Sequence, residues 1–155
     1  MEPKTFYKIR FNDCDSFKHL HNSRYIDYML NAREDHLNDF FNISMTSLYE
    51  KGSGWIVNRH EIVYLAPALY NEIVCIKSSL LKLSDDSLLV EMSMWNEQEN
   101  KLKALLWTKF IHINMLTGKR SNHPDWFIKL AAPLEKTTLQ DTNSHNERLA
   151  MLVRR

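Results

Sequence analysis

The feature that most constrains this chain is a run of four segments rich in β-branched and aromatic residues, at 55–65, 72–83, 87–96 and 103–114. Their connections, 66–71 with Pro67, 84–86, and 97–101 with Asn100, are too brief to hold crossover helices and carry turn chemistry. Such spacing predicts antiparallel hairpins. Leu88, Val90, Met92 and Met94 alternate with Glu91 and Ser93, the pattern of a sheet with one well-buried face. The alternation breaks at 59–61, which allows a β-bulge or a polar stretch facing something other than core.

A single strand and a single long helix precede this run. Residues 5–11 place Phe6, Ile9 and Phe11 among polar neighbours and end in the turn formers Asn12 and Asp13. From Asn22 the period changes: Tyr25, Met29, Ala32 and His36 recur at helical spacing, with Arg24, Asp27, Asn31 and Glu34 on other faces. Asn22 or Ser23 is the expected cap. Tyr28, Leu30 and Leu37 widen the apolar surface, as expected of a helix covered on more than one side.

A short helix at 45–50, a turn at 117–120 and a helical stretch at 124–131 complete the pattern. The prediction is an α+β domain over 1–135, a long helix against an antiparallel sheet. Residues 136–155 read as a polar, loosely attached tail, helical from Asn146.

Charge excludes some partners. Twenty Lys and Arg against nineteen Asp and Glu give a net +1, so no whole-protein field favours nucleic acid or an anionic membrane. Cys14 and Cys75 form no CxxC motif and fit a reducing compartment. The N-terminus is charged and alternating, and no apolar run is long enough to span a bilayer. The expected location is cytoplasmic.

Chemistry concentrates in residues 10–25, RFNDCDSFKHLHNSRY, between the first strand and the helix. Unpaired N–H groups at a helix start favour a carboxylate or a developing oxyanion nearby. This stretch resembles the 4-hydroxybenzoyl-CoA thioesterase branch of the hot-dog superfamily, whose members carry a D-x-D loop and a G-H-V-N-N-x-x-Y type helix start. Asp13, Asp15, His19, Asn22 and Tyr25 match without a gap. The resemblance continues, in order, through Gly54-Trp55-Ile56-Val57, Glu61 to Ala68 and Thr117-Gly118-Lys119-Arg120.

The resemblance implies a hot-dog fold, a central helix wrapped by the sheet, paired edge to edge into a homodimer with active sites at the subunit boundary. A further pairing into tetramers stays open. It also implies hydrolysis of an acyl thioester carried by coenzyme A or acyl carrier protein. Asp15 takes the role of catalytic carboxylate, as nucleophile or as general base toward water. The Asn22 backbone N–H polarises the carbonyl, and His19 orients the loop. Tyr25, Arg59, His60, Lys82, Lys119 and Arg120 are the candidate substrate-binding residues.

The chain departs from its relatives in three places. Lys18 replaces a Gly, His21 replaces an Asn, and Leu30 stands where many relatives have a helix Glu, which leaves Asp15 as the sole strong carboxylate. Ser84-Asp85-Asp86 puts acid where some relatives are basic, so Lys82, Lys119 and Arg120 are left to meet a phosphate.

Blander readings stand beside these. Asp15 is also a good turn carboxylate, and Asp13, Asp15, His19 and His21 have the residue types of a metal site but match no known ligand spacing. No cofactor or metal is expected. His36 and His112 read as structural histidines, and Met92, Met94, Trp95 and Trp107 as core rather than an acyl tunnel. The competing functions are a hot-dog hydratase or dehydratase, and a non-catalytic acyl-thioester binding protein.

Overall fold

A computed structural model describes residues 2–136 and 144–153. Its long helix, α1 (Asn22–Phe41), spans about 30 Å. The residues at helical spacing, Tyr25, Met29, Ala32 and His36, are its buried ones. Neither Asn22 nor Ser23 caps it: the cap position is His21, whose side chain makes no capping bond. At the other end Asn42 adopts the left-handed conformation, and the N–H groups of Asn42 and Ile43 both reach the Leu37 carbonyl. That closes the helix as a glycine would.

The sheet comprises β1 (Lys4–Lys8), β2 (Ser53–Tyr64), β3 (Ile73–Leu83), β4 (Ser87–Asn96), β5 (Leu102–Asn114) and the short β6 (Lys119–Arg120). A one-turn helix, α2 (Met45–Glu50), precedes β2. All pairings are antiparallel, in the order β1-β3-β4-β5-β2, with β6 beside the end of β5. The links β3–β4 and β4–β5 are hairpins, as expected. The link after β2 is not, because β2 and β3 are separated by β4 and β5. Residues 65–72 instead carry the chain across the mouth of the sheet, bonding Leu20 and Asn71 back to Ala68 and Ile9. The curled sheet wraps α1, and a chain wrapping a helix must cross its end once.

The concave face and α1 share one core that includes Ile9, Met29, Ile76, Met92, Met94 and Leu106, all fully buried. This is the α+β, hot-dog arrangement. Met92 and Met94 are ordinary core residues. His36 is locked between Thr5 Oγ1 (2.5 Å) and Ser78 Oγ (2.6 Å), and His112 between Ser53 and Ser121. Both are structural histidines.

The convex face departs from expectation. Glu91 and Ser93 should meet water, yet both are buried. The cause is α4 (His145–Val153), from the segment read as a loose tail. Leu149 and Leu152 pack on Cys75, Trp95, Leu102 and Leu105, and His145 Nε2 bonds the Leu105 carbonyl. Arg148 makes a bidentate pair with Glu91 at 2.9–3.2 Å, and Trp107 Nε1 donates to the same carboxylate. A desolvated pair so fully bonded ties α4 to the sheet. Part of the tail, 137–143 and 154–155, lies outside the described residues.

The C-terminal end of β5 is closed by α3 (Asp125–Ala131), whose Phe127 packs on Trp55 and His123. The irregularity anticipated at 59–61 is a bulge between Val57 and Arg59, with Asn58 as the extra residue.

Candidate active site

The loop before α1 is held almost entirely by backbone. Cys14 bridges Leu20, His19 bridges Leu69, and Leu20 N–H donates to the Ala68 carbonyl. The two loop acids separate. Asp13 Oδ2 accepts the Tyr28 hydroxyl at 2.7 Å, and its other oxygen stands 3.8 Å from Arg24, so Asp13 ties the loop to α1. Asp15 folds back on its own turn: Oδ1 accepts N–H bonds from Phe17 (2.9 Å) and His19 (3.1 Å). Those backbone donors, His19 first, hold its carboxyl below the usual range, with the His19 and His21 rings adding to the effect. Oδ2 has no bonded partner among the described residues, so the anion keeps one oxygen for other work. Lys18, at the position where relatives carry Gly, adopts φ +64° to complete this turn.

Asp15, His19, His21, Asn22 and Tyr25 line one cleft of about 520 Å³, walled on the far side by Tyr64, Leu65, Ala66 and Pro67. The structure thus brings together Asp15, His19, Asn22 and Tyr25. Asn22 opens α1, and its N–H has no bonded partner among the described residues. Tyr25 is buried, its hydroxyl accepting Ala68 N–H, so it braces the cleft wall. Among the described residues no group of three His, Cys, Asp or Glu side chains converges as a metal site.

The other candidates lie elsewhere. Arg59 and His60, consecutive in regular pairing after the bulge, face opposite sides of the sheet. His60 points inward and bonds Thr108 Oγ1 at 2.8 Å, and its pKa is lowered by burial. Arg59 faces outward, with Lys109, Trp107 and His145. Lys119 and Arg120 pair with Asn114 and Ile113, which face Ser53 and Gly54, the end of β2 opposite Tyr64. That is roughly 30 Å along the strand from the cleft. Arg120 forms a bidentate pair with Asp86, so the acidic hairpin neutralises a basic residue rather than presenting bare charge. Lys82 is exposed on β3 after a second bulge.

Two contributors were missed. Tyr64 donates its hydroxyl to the Asn22 carbonyl and stacks edge-on against Tyr25. An aromatic three residues before Pro67 was the available signal. Arg33, four residues after Met29, is a half-buried cation beside the buried stripe of α1.

The pattern of the thioesterase-like superfamily matches residues 9–130, from the end of β1 through α3. The chain belongs to the thioesterase-like superfamily. It is 25% identical over 116 residues to the long-chain acyl-CoA thioesterase FadM of Escherichia coli K12, covering 75% of this chain and 86% of FadM. Among solved structures, a hypothetical protein from Thermus thermophilus aligns with TM-score 0.79 and 23% identity over 86% of this chain and all of its own. A probable thioesterase from Escherichia coli, YbaW, gives 0.73 and 24% over 86% of this chain and 98% of its own. These likenesses establish the hot-dog fold, and the superfamily match makes the chain a thioesterase. No helix among the described residues is long and apolar enough to cross a membrane.

Proposed function

We propose that this thioesterase cleaves acyl-coenzyme A to a free acid and coenzyme A, with Asp15 as the catalytic carboxylate. The observation that carries the reading is the Asp15 carboxylate, anchored through Oδ1 and open at Oδ2, in one cleft with the first N–H of α1. A carbonyl oxygen near the Asn22 N–H would gain stabilisation as charge develops on it. Oδ2 would then either attack the carbonyl carbon, expelling the thiolate as the C–S bond breaks and forming an acyl–Asp15 anhydride that water hydrolyses, or take a proton from a water that attacks the carbonyl carbon as the C–S bond breaks. Both routes consume one water, which supplies the proton that the thiolate takes up. His19 contributes through its backbone, which fixes the carboxylate. Coenzyme A rather than acyl carrier protein is the preferred carrier because FadM is an acyl-CoA thioesterase.

The working unit in this proposal is a homodimer. β2 is a twelve-residue edge strand without Pro, and Ile56 and Val57 on it are exposed. Such an edge is a template for pairing. Antiparallel pairing about Asn58 and Arg59 would bring the Asp15 cleft of one protomer beside the partner's Trp55, Lys119 and Arg120. No Lys or Arg is among the residues lining the cleft of one chain, and the partner would supply such groups for the nucleotide phosphates.

The test is thiol release from a panel of acyl-CoA and acyl-carrier-protein thioesters by the purified protein and by Asp15→Asn. Turnover of acyl-CoA that the substitution abolishes is the expected result. Equal activity in both proteins sinks the role of Asp15. Tight binding without turnover across the panel would favour a binding protein. One turnover in ¹⁸O-water distinguishes the two routes, since only nucleophilic attack leaves label in the Asp15 carboxylate.

A further inference from the structure

Beneath the C-terminal half of α1 lies a second hollow, separate from the Asp15 cleft. It measures about 230 Å³ and is lined chiefly by Leu30, Leu37, Leu48, Trp55, Phe110 and Phe127. A dry apolar cavity of roughly 150 Å³ is enough to hold benzene, so this one has room for part of an acyl group. Across α1 is a more polar hollow containing Ser78, Phe40, Leu134 and Lys136. Arg33 lines both, standing between them under the helix.

Arg33 is poorly served for a half-buried cation. Its one hydrogen bond runs from Nη1 to Ser78 Oγ at 3.5 Å, the limit of such a contact, and it forms no salt bridge among the described residues. Burial alone pulls its pKa down to about 10, still well above neutrality, so it remains charged. The neighbouring acids do not answer it. Glu34 lines the apolar hollow with it but makes no ion pair with it among the described residues, Asp35 takes the Tyr7 hydroxyl, and Glu135, in the polar hollow, accepts the Leu83 N–H. His36 is held neutral, its pKa lowered to about 4 by burial and by Arg33 itself. No buried side-chain nitrogen among the described residues lacks a partner, so the guanidinium nitrogens not engaged with Ser78 are accessible, on a residue that lines both hollows. A guanidinium has five N–H donors. A hydroxyl would satisfy some of them, but a carboxylate also compensates the charge and matches the planar fork.

We infer that the hollow under α1 receives the acyl group of the thioester, and that Arg33 at its inner end binds a carboxylate at the distal end of that group. The inference rests on the hydrolase proposed above for the thioester, and on the β2-paired dimer for bringing the hollow beside the partner's Asp15. The substrate class is thus a dicarboxylic acid esterified to the carrier through one end, rather than a simple fatty acid.

The experiment compares suberoyl-CoA with octanoyl-CoA, equal in length and differing in the distal carboxylate, in the wild type, Arg33→Met and Arg33→Gln. Wild-type kcat/KM should favour suberoyl-CoA by at least about tenfold, as for a site built to bond a group its competitor lacks. Both substitutions should abolish that preference, mainly by loss of suberoyl-CoA turnover. A wild type that prefers octanoyl-CoA, or an unchanged ratio in folded variants, overturns the inference and leaves the thioesterase intact. Calorimetric titration with free suberate and free octanoate separates the failures. Suberate binding that is lost in Arg33→Met supports the site even if neither thioester is turned over, and no preference for suberate overturns it.

Discussion

The two ends of β2 offer opposite environments. At the Tyr64 end the cleft is polar, its acid is ionised and exposed, and its shape is held by backbone bonds around Lys18 and Leu20. At the Trp55 end the hollow is mostly apolar, shaped by side-chain packing among Trp55, His123 and Phe127, with the half-buried Arg33 and the exposed Glu34 as its charged lining. In the proposed reaction neither end suffices: one has the carboxylate and the other has room for an acyl group. An edge strand that pairs antiparallel with its own copy joins unlike ends, which is how a single chain can divide the work.

The largest effect tests whether the ends must meet. Asn58 has no cross-strand partner in β5, so Asn58→Pro should leave the protomer folded while blocking the edge. Light scattering should show a monomer, with activity down about 100-fold as positioning is lost. A fully active monomer would break the comparison, since one end would then suffice. Next comes Arg148→Met, which leaves Glu91 buried without its cation and should cost about 3 kcal/mol of stability in denaturant titration. Because α4 lies on the convex face, the ratio of suberoyl-CoA to octanoyl-CoA turnover should not move.

Acid should separate the ends. His123 accepts the Trp55 Nε1 proton at Nδ1 and donates Nε2–H to the Ser87 carbonyl, so the packed ring is neutral, and burial lowers its pKa. His36 behaves likewise, at about 4. A depressed histidine pKa means the unfolded chain binds the proton first, so stability is complete above about 6.5 and declines as pH falls toward 4. Urea midpoints should fall across that window. Asp15, lowered for the opposite type of group, stays ionised through it, so the activity of still-folded protein should persist below the usual carboxylate range. The smallest effect concerns Lys18, whose left-handed backbone costs about 1 kcal/mol that glycine would not pay. Lys18→Gly should raise the thermal midpoint by a few degrees and leave kcat unchanged.

Much of this was legible in the sequence. The elements α1, α2 and β4 begin where the pattern places them, because period and turn chemistry are local. The Asp15 loop was legible through its family motif, and the bulge at Asn58 lies just before the break in alternation at 59–61; Tyr25, expected to bind substrate, instead has its hydroxyl bonded to Ala68 N–H. The sheet order was not: a short connection after β2 reads as a hairpin, and only the need to cross the end of α1 makes it a crossover. Glu91 reads as a solvent residue because its partner, Arg148, lies 57 positions away on a helix that local pattern cannot dock.

By itself, then, the sequence determined most of the elements, the concave face that β4 and α1 turn to the core and the position of the carboxylate before the helix start. The tertiary structure alone decided that β2 is an edge, that α4 covers the convex face, that His60 bonds Thr108 while Arg59 lies beside Lys109 and His145, and that Arg33 lines two hollows. Periodicity specifies how a residue faces its own element, whereas neighbours across the fold are chosen by long-range packing and by the pairing of buried charge.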